Sequence, residues 1–219
     1  MHKTINNLLN IENKLNVLKL SNNKKKPKII AVSKTFSIEN IIPLLEYGHK
    51  DYGENKIQEA VIKWKDIKDK FQNIRLHMLG KVQTNKVKFL LPLFDYLHSL
   101  DNLKLAEKIS KEEEKKNKRL KIFIQVNLGN EKQKSGVKLS ELENFYRECT
   151  VNFNLNIIGL MCLPPITQDP QIFFIKLNKL ANKINLNELS MGMSGDFETA
   201  VKNGSTFIRI GTEIFGKRI

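Results

Sequence analysis

The length, composition and charge of the chain exclude several classes of protein. With 219 residues, 41% of them hydrophobic and 27% charged, the chain is long enough for one well-buried domain and short for two. It has no apolar run of the roughly 20 residues that cross a bilayer, no signal-peptide pattern, and two cysteines without metal-ligand spacing. We therefore expect a single cytoplasmic domain over residues 1–219, with neither a membrane segment nor a metal site.

The formal net charge of +14 first suggests a nucleic-acid partner, because a basic surface attracts phosphate backbones. The alternative is a compositional bias toward lysine, and the lysine-rich segments 21–26 and 115–119 are typical of such a bias. The sequence also has no strand with paired exposed aromatic residues of the kind that stacks on bases. We therefore predict that the protein binds no specific nucleic acid.

Short apolar segments alternate with helical patterns along the chain, which predicts a parallel sheet built from βα units. An amphipathic helix near residues 3–20 comes first, and we expect it to cover the bottom of a barrel. The predicted strands are 28–33, 49–53, 74–78, 95–99, 121–127, 157–163, 188–192 and 206–210. The predicted helices between them are 38–47, 55–70, 84–91, 102–117, 139–150, 170–184 and 196–203. This order predicts one α/β barrel of the (β/α)8 TIM type with an extra N-terminal helix.

A lysine directly follows the first predicted strand. Lys34 should therefore emerge at the end of the barrel where active sites lie. Partial burial at such a position lowers the pKa of a lysine, so that its amine can attack an aldehyde. The other interpretation is an ordinary loop lysine, which composition alone favours.

Polar residues at the ends of the second and third strands each have two interpretations. Asn55 is either the N-cap of the following helix or a side chain that contacts a ligand. His77 is either a hydrogen-bonded structural residue, which is the commoner case, or a ligand-binding residue. The roles of Gln83 and Asn85 stay open. The strand order indicates no Ser-His-Asp or Cys-His arrangement for nucleophilic catalysis.

The last two strands each end in a glycine-containing turn that leads toward a possible helix start. Ser194 and Gly195 follow the seventh strand, and Gly211 and Thr212 follow the eighth. Two helix starts side by side form a phosphate cradle, although a serine N-cap with a flexible glycine would give the same pattern. Arg209 shares the inward face of Gly211 and needs a partner there, such as a ring nitrogen or an acidic group. A lysine at one strand end and a phosphate cradle at two others indicate pyridoxal phosphate.

Seven sequence blocks lie in order at the predicted strand ends: AVSK at 31–34, YGEN at 52–55, HMLG at 77–80 with Gln83 and Asn85, KSGV at 134–137, GLM at 159–161, SMGMS at 190–194, and RIGT at 209–212 with IFG at 214–216. On these blocks, nearly the whole chain resembles the pyridoxal phosphate homeostasis protein family, whose barrel is similar to the N-terminal domain of alanine racemase. The chain departs from the family pattern at Met78-Leu79, where Phe-Ile is commoner, and at Gly195, where an acidic or small residue is usual.

The resemblance implies a role for each candidate residue. Lys34 would form a Schiff base with pyridoxal phosphate, Arg209 would face the pyridine nitrogen, and Asn55 would line the pocket. Ser194, Gly211 and Thr212 would hold the phosphate. The implied function is intracellular homeostasis of pyridoxal phosphate (vitamin B6) and amino acids, with delivery of the cofactor to apo-enzymes.

The resemblance also bears on whether the protein is an enzyme. Racemisation needs a second acid/base on the opposite face of the cofactor, which racemases take from a C-terminal domain of the partner subunit. This sequence ends at Ile219, directly after the eighth βα unit. A cationic Arg209 beside the ring nitrogen would also weaken the ring as an electron sink. We expect a monomeric carrier without catalytic residues, and the alternative is a small pyridoxal-phosphate enzyme such as a weak amino-acid racemase.

Overall fold

A closed barrel of eight parallel strands forms the centre of the protein. The computed structural model describes residues 1–22, 26–131 and 135–217, so Lys134 of the KSGV block lies outside the described residues. Each strand pairs with the next along the chain, and the last strand closes the barrel against the first. The strands are β1 Lys28–Val32, β2 Asp51–Glu54, β3 Arg75–Met78, β4 Tyr96–Leu100, β5 Lys121–Gln125, β6 Ile157–Met161, β7 Glu188–Met193 and β8 Phe207–Ile210. The predicted (β/α)8 architecture is confirmed.

Helices follow the strands on the outside of the barrel. They are α1 Lys3–Asn22, α2 Ile38–Glu46, α3 Ile57–Lys70, α4 Val87–Leu93, α5 Leu103–Lys116, α6 Leu142–Arg147, α7 Pro170–Lys183, α8 Phe197–Lys202 and α9 Thr212–Phe215. Two predicted helices are irregular. The first begins with a 3-10 turn at Thr84–Lys86, and the second is divided into a 3-10 turn, α6 and a π-helical turn at Glu148–Asn152. The prediction of a helix start after the eighth strand corresponds to α9.

Side chains alternate between two apolar layers because successive residues of a strand point to opposite faces. The inward-facing layer fills the barrel with Ile30, Val32, Tyr96, Phe123, Met161 and Phe207. The outward-facing layer is larger and packs between the strands and the helices. The barrel is therefore a filled core rather than a pore, and space for a ligand is left at its end.

The N-terminal helix lies elsewhere than predicted. Helix α1 packs against α2, α8 and α9, which places it in the outer layer rather than across the bottom of the barrel. Its described buried hydrophobic residues are Leu8, Ile11 and Leu15. The physical reason is that α9 has only four residues and cannot cover the strands where the barrel closes. Helix α1 supplies the missing apolar surface there.

Within the described ranges, no helix is long and apolar enough to cross a membrane, and no three His, Cys, Asp or Glu side chains are grouped closely enough to hold a metal ion. Cys149 and Cys162 are buried free thiols. Burial raises the pKa of both thiols to about 12. Both cysteines therefore contribute to packing and are protonated at neutral pH.

Candidate functional site

All six candidate residues from the sequence line one cavity at the carboxyl ends of the strands. The cavity has a volume of about 350 Å³, which lies in the roughly 300–1,000 Å³ range of small-molecule sites. Its polar lining is formed by Lys34, Asn55, Ser194, Arg209, Gly211 and Thr212, and its apolar lining includes Val32, Leu79, Met161 and Leu163. Residues far apart in sequence meet here because parallel strands end at the same rim of the barrel.

The chain around Lys34 is fixed by a buried carboxylate. Glu54 is fully buried, and its Oε1 accepts hydrogen bonds from Ser33 Oγ at 2.7 Å, Lys63 Nζ at 3.0 Å and Trp64 Nε1 at 3.0 Å. Its Oε2 is buried without a hydrogen-bond partner among the described residues. The charge of Glu54 is therefore balanced mainly by Lys63, whose side chain is only 8% exposed.

The residue after Lys34 has an unusual backbone conformation. Thr35 has φ 68°, in the left-handed region that β-branched residues rarely adopt. Its N–H donates to Glu59 Oε1 at 2.6 Å, and Lys63 Nζ donates to the carbonyl of Ser33 at 2.9 Å. A conformation of this kind costs on the order of 1–3 kcal/mol and persists only where the surroundings fix it. The sharp turn at residues 34–35 therefore begins within two residues of the end of β1 at Val32 and places Lys34 at the rim of the barrel.

Asn55 lines the cavity and is not the helix cap that one interpretation predicted. Helix α3 begins at Ile57, and its N-cap is Lys56. The backbone of Asn55 packs against Gly80, where an added Cβ would lie 2.1 Å from the Asn55 carbonyl oxygen. Only glycine permits this approach. The glycine of the HMLG block thus keeps Asn55 at the rim of the cavity.

The other rim of the cavity is formed by the turns after β7 and β8. Ser194 is half-buried, and its Oγ accepts a long hydrogen bond of 3.5 Å from the N–H of Glu213 in α9. The alternative that Ser194 is a helix N-cap is wrong, because Asp196 is the N-cap of α8. Gly192 has φ +94°, and a Cβ there would lie 2.7 Å from Ala200 Cβ, so this turn requires glycine. Gly211 precedes α9 as its N-cap, and Thr212 is its first residue.

Arg209 is only 5% exposed and lies on the inner face of β8, as the strand alternation predicts. Its Nη1 donates to Ser190 Oγ at 2.6 Å, and its Nη2 donates to the carbonyl of Cys162 at 3.0 Å. Burial lowers the pKa of Arg209, but a guanidinium remains charged at neutral pH. Two neutral oxygens thus accept hydrogen bonds from the guanidinium of Arg209, and Arg209 also lines the cavity.

Sequence reasoning missed a chain of hydrogen bonds in the barrel interior. His77 Nε2 lies 3.0 Å from Asp51 Oδ1, and His77 Nδ1 lies 3.0 Å from His98 Nε2. His98 Nδ1 lies 2.8 Å from Ser190 Oγ, which contacts Arg209. The strand order predicts no Ser-His-Asp arrangement. The contact between His98 and Ser190 joins β4 to β7 across the barrel, and the order of neighbouring strands does not show it.

This series of hydrogen bonds from Asp51 to Ser190 is not a nucleophilic triad. Ser190, His77 and His98 are fully buried, and Ser190 Oγ is already bonded to Arg209. The structural interpretation of His77 is therefore the one that the geometry supports. Gln83, whose role was left open, lies at a neighbouring surface cleft that also includes Asn55.

The charges at the cavity are of one sign. Lys34 and Arg209 line it, and none of its described lining residues carries a carboxylate. Two cationic side chains, with no carboxylate among the described lining residues, make the cavity suited to an anion. Hydroxyl groups from Ser194 and Thr212 and the amide of Asn55 add neutral hydrogen-bonding groups.

A (β/α)8 barrel with a polar cavity at the carboxyl ends of its strands is the class of protein defined so far, and comparison with known proteins identifies the family. Residues 7–218 match the family described as "Alanine racemase, N-terminal domain". A pyridoxal phosphate homeostasis protein of Aquifex aeolicus is 38% identical over 200 residues, which cover 87% of each chain. The chain belongs to the pyridoxal phosphate homeostasis proteins within this alanine racemase N-terminal domain family, as the sequence blocks predicted.

Solved structures agree with this assignment. The structure of PipY from Synechococcus elongatus with pyridoxal phosphate bound matches with a TM-score of 0.83 and 31% identity, covering 93% of this chain and 99% of PipY. Alanine racemase from Corynebacterium glutamicum matches with a TM-score of 0.68 at 18% identity, covering 94% of this chain and 60% of the racemase. At that identity the racemase supports the fold alone.

Proposed function

We propose that this protein binds pyridoxal 5'-phosphate as a carrier for intracellular homeostasis of the cofactor, and that it hands the cofactor to apo-enzymes. The observation that carries the proposal is the composition of the cavity: one amine, one guanidinium, two hydroxyls and no carboxylate among its described lining residues. A phosphorylated pyridine aldehyde offers its aldehyde to the amine, its ring nitrogen to the guanidinium and its phosphate to the hydroxyls. The family membership and the ligand in the PipY structure support the same choice.

Each side chain has a defined task in this proposal. Lys34 Nζ attacks the aldehyde carbon, and the carbonyl oxygen leaves as water, which yields a Schiff base. Ser194, Gly211 and Thr212 bind the phosphate through hydroxyl and backbone N–H groups at the rim formed by the turns after β7 and β8. Arg209 donates to the ring nitrogen, and Asn55 contacts the ring from the rim of β2.

The same residues support a carrier rather than an enzyme. A guanidinium that donates to the ring nitrogen disfavours its protonation, so the ring is a poor electron sink for carbanion chemistry. Racemisation also needs a second acid/base, and Lys34 and Arg209 are the only titratable side chains among the described residues that line the cavity. Arg209 does not lose its proton at neutral pH. One lysine can hold a cofactor but cannot act as the acid/base on both faces of a substrate.

Absorption spectroscopy of the purified protein with added pyridoxal phosphate tests the binding mode. We expect a visible Schiff-base band that borohydride reduces to a stable adduct, and mass spectrometry should locate the adduct on the peptide that contains Lys34. Lys34→Ala should show neither band nor adduct. Lys63→Ala is not a suitable control because Lys63 supports Glu54, so the exposed Lys111→Ala is the matched variant and should behave like wild type. An adduct that persists in Lys34→Ala would overturn the assignment.

Amino-acid exchange separates the carrier from a weak racemase. The loaded protein is incubated with L- or D-alanine in deuterated water, and incorporation of deuterium at the alpha carbon is followed by NMR. We expect no exchange above the rate of free pyridoxal phosphate. Exchange that is fast and depends on Lys34 would favour the enzyme and contradict the carrier.

Transfer is tested with a purified apo-enzyme and a phosphatase that destroys free pyridoxal phosphate. Activation of the apo-enzyme faster than the spontaneous release of cofactor from the carrier would support direct handover. Activation no faster than release would contradict it. We also propose that the carrier acts as a monomer, since a single chain supplies the amine, the guanidinium and the hydroxyl groups that the cofactor needs. Light scattering of the loaded protein that gives a dimer would refute this.

A further inference from the structure

The hydrogen-bond chain from Asp51 to Arg209 is long, buried and made of side chains with definite geometry. Asp51, His77, His98 and Ser190 are each at most 6% exposed. His77 stacks on Tyr96 with ring centroids 4.2 Å apart, and His98 stacks on Phe123 at 4.3 Å. The stacking fixes both imidazole planes, so the rings cannot rotate to other partners. Packing and hydrogen bonding thus determine the same arrangement.

The starting point of the chain is an ionised carboxylate. Burial alone raises the pKa of Asp51, but hydrogen bonds from His77 and Arg75 outweigh burial and lower this pKa to about 2. Asp51 therefore only accepts hydrogen bonds at neutral pH. His77 Nε2 must carry a proton to donate to it, because two acceptors do not approach to 3.0 Å.

The ionised state of Asp51 determines which ring nitrogen carries the proton in each of the two histidines. Burial lowers the pKa of His77, and that of His98 lies well below its usual value for the same reason, so both rings are neutral at neutral pH. A neutral imidazole has a single N–H. His77 Nδ1 is therefore an acceptor, and His98 Nε2 must donate to it across 3.0 Å.

The hydrogen bonds of Ser190 with His98 and with Arg209 run in the same direction, toward Asp51. His98 Nδ1 is now an acceptor, so the hydroxyl proton of Ser190 points to it across 2.8 Å. Ser190 Oγ keeps its lone pairs for Arg209 Nη1 at 2.6 Å. Each group in turn donates toward Asp51, and hydrogen bonds aligned in this way polarise and strengthen one another. The acceptor that meets the guanidinium is thereby made more negative.

We propose that Ser190, His98 and His77 are positioning residues that fix the orientation of the Arg209 guanidinium toward the cofactor ring, by connecting it through one-way hydrogen bonds to the Asp51 carboxylate at the opposite end of the barrel. The orientation toward the ring rests on the proposed function. The hydrogen-bond order rests on the protein alone and can be measured without cofactor.

Nitrogen-15 NMR of the cofactor-free protein, labelled at histidine, tests the hydrogen-bond order. His77 and His98 should both be neutral at neutral pH, with the proton on Nε2, and His98→Gln assigns the signals. Ser190→Ala should shift the Nδ1 signal of His98 because that nitrogen loses its donor. A protonated His77, or a proton on Nδ1 of either ring, would reverse the chain and overturn the proposal.

Cofactor binding tests the positioning role. In Ser190→Ala we expect the dissociation constant for pyridoxal phosphate to rise about tenfold, because a guanidinium that Ser190 no longer orients makes a weaker charge-assisted hydrogen bond to the ring. The visible band should shift, and borohydride should still trap the adduct on Lys34. The control is Ser205→Ala, which removes another buried hydroxyl, bonded to the carbonyl of Met191 at 2.6 Å and without a described contact to Arg209. Its affinity and band should match wild type.

The outcomes separate the two proposals. Normal wild-type binding together with unchanged affinity and band in Ser190→Ala would overturn the positioning role and leave the proposed function intact. Wild-type protein that does not bind pyridoxal phosphate would overturn both the proposed function and the orientation toward the ring. If Ser190→Ala does not fold, His98→Gln interrupts the chain one residue farther from the cavity and should cause a smaller loss of affinity in the same direction, and unchanged affinity there would contradict the proposal.

Discussion

The two sides of the cavity differ in how their residues are held. On the lysine side, comprising residues 33–35 with Glu54 and Lys63, buried charges and a left-handed turn fix the backbone. On the cup side, comprising residues 194–195 and 211–212, the one described side-chain contact is a 3.5 Å hydrogen bond to Ser194 Oγ. The helices that begin there have six and four residues.

This difference separates stability from affinity. Substitutions on the lysine side remove interactions that the folded chain makes with itself, so they should lower the free energy of unfolding. Substitutions on the cup side remove groups that a bound anion would use, so they should change affinity with little effect on the empty protein. The lysine side holds the reactive amine in place before the ligand binds, whereas the groups of the cup side would find their hydrogen-bond partners in the bound ligand.

The largest effect should come from Glu54→Gln on the lysine side. The substitution keeps the shape of the side chain but removes the carboxylate that Lys63 meets at 3.0 Å, so that the partly exposed Glu59 at 3.4 Å is its remaining described carboxylate partner. Breaking a buried ion pair in this way costs about 3 kcal/mol of unfolding free energy. Urea unfolding of the cofactor-free protein measures the change. Glu107→Gln, which breaks an exposed pair with Lys111, is the control and should leave the midpoint unchanged. An unchanged midpoint in Glu54→Gln would refute the role of the buried pair.

Acid should remove the contribution of the Asp51 carboxylate to the free energy of unfolding over a defined pH range. The pKa of Asp51 lies at about 2 in the folded protein, against an ordinary value of 3.8. A folded pKa below the unfolded one stabilises the protein above about pH 4, and this contribution, roughly 2 kcal/mol, is lost as the pH falls toward 2. The difference in stability between wild type and Asp51→Asn should shrink over that window. A difference that is independent of pH would contradict the assignment.

A smaller effect, confined to affinity, is expected for Ser194→Ala on the cup side. The dissociation constant for pyridoxal phosphate should rise about tenfold because one hydrogen bond to a charged group is lost. The melting temperature of the cofactor-free protein should stay that of wild type, since the hydroxyl makes only a long contact within the chain. A large drop in that melting temperature would remove the distinction between the two sides.

The smallest effect should come from Gly195→Ala. An added Cβ at this position has no neighbour within 4 Å, and the backbone lies outside the left-handed region. We therefore expect a change in unfolding free energy within about 0.5 kcal/mol. Gly192→Ala, three residues earlier, is the contrasting variant and should be clearly destabilised, because its φ is +94° and its Cβ would clash with Ala200. Equal stability of the two variants would argue against the described turn.

The residue pattern by itself determined the architecture and most of the site. Apolar segments of strand length alternate with helical patterns, and parallel strands of a barrel end at one rim, so Lys34, Ser194 and Gly211 could be predicted to converge. Arg209 followed from the alternation of side chains along β8. These predictions succeeded because each depends on local periodicity and on a rule of the fold that holds for every strand.

Only the tertiary structure decided which buried polar groups meet. Asn55 could be an N-cap or a ligand contact in sequence, and the close packing of Gly80 on its backbone settled that it lies at the rim. The position of α1 depended on how little of the outer surface of the strands the short helix α9 covers. The bond between His98 and Ser190 spans 92 positions in the chain. Such contacts depend on the tilt and closure of the barrel, which bring distant strands face to face, and no pattern of neighbouring residues encodes that distance.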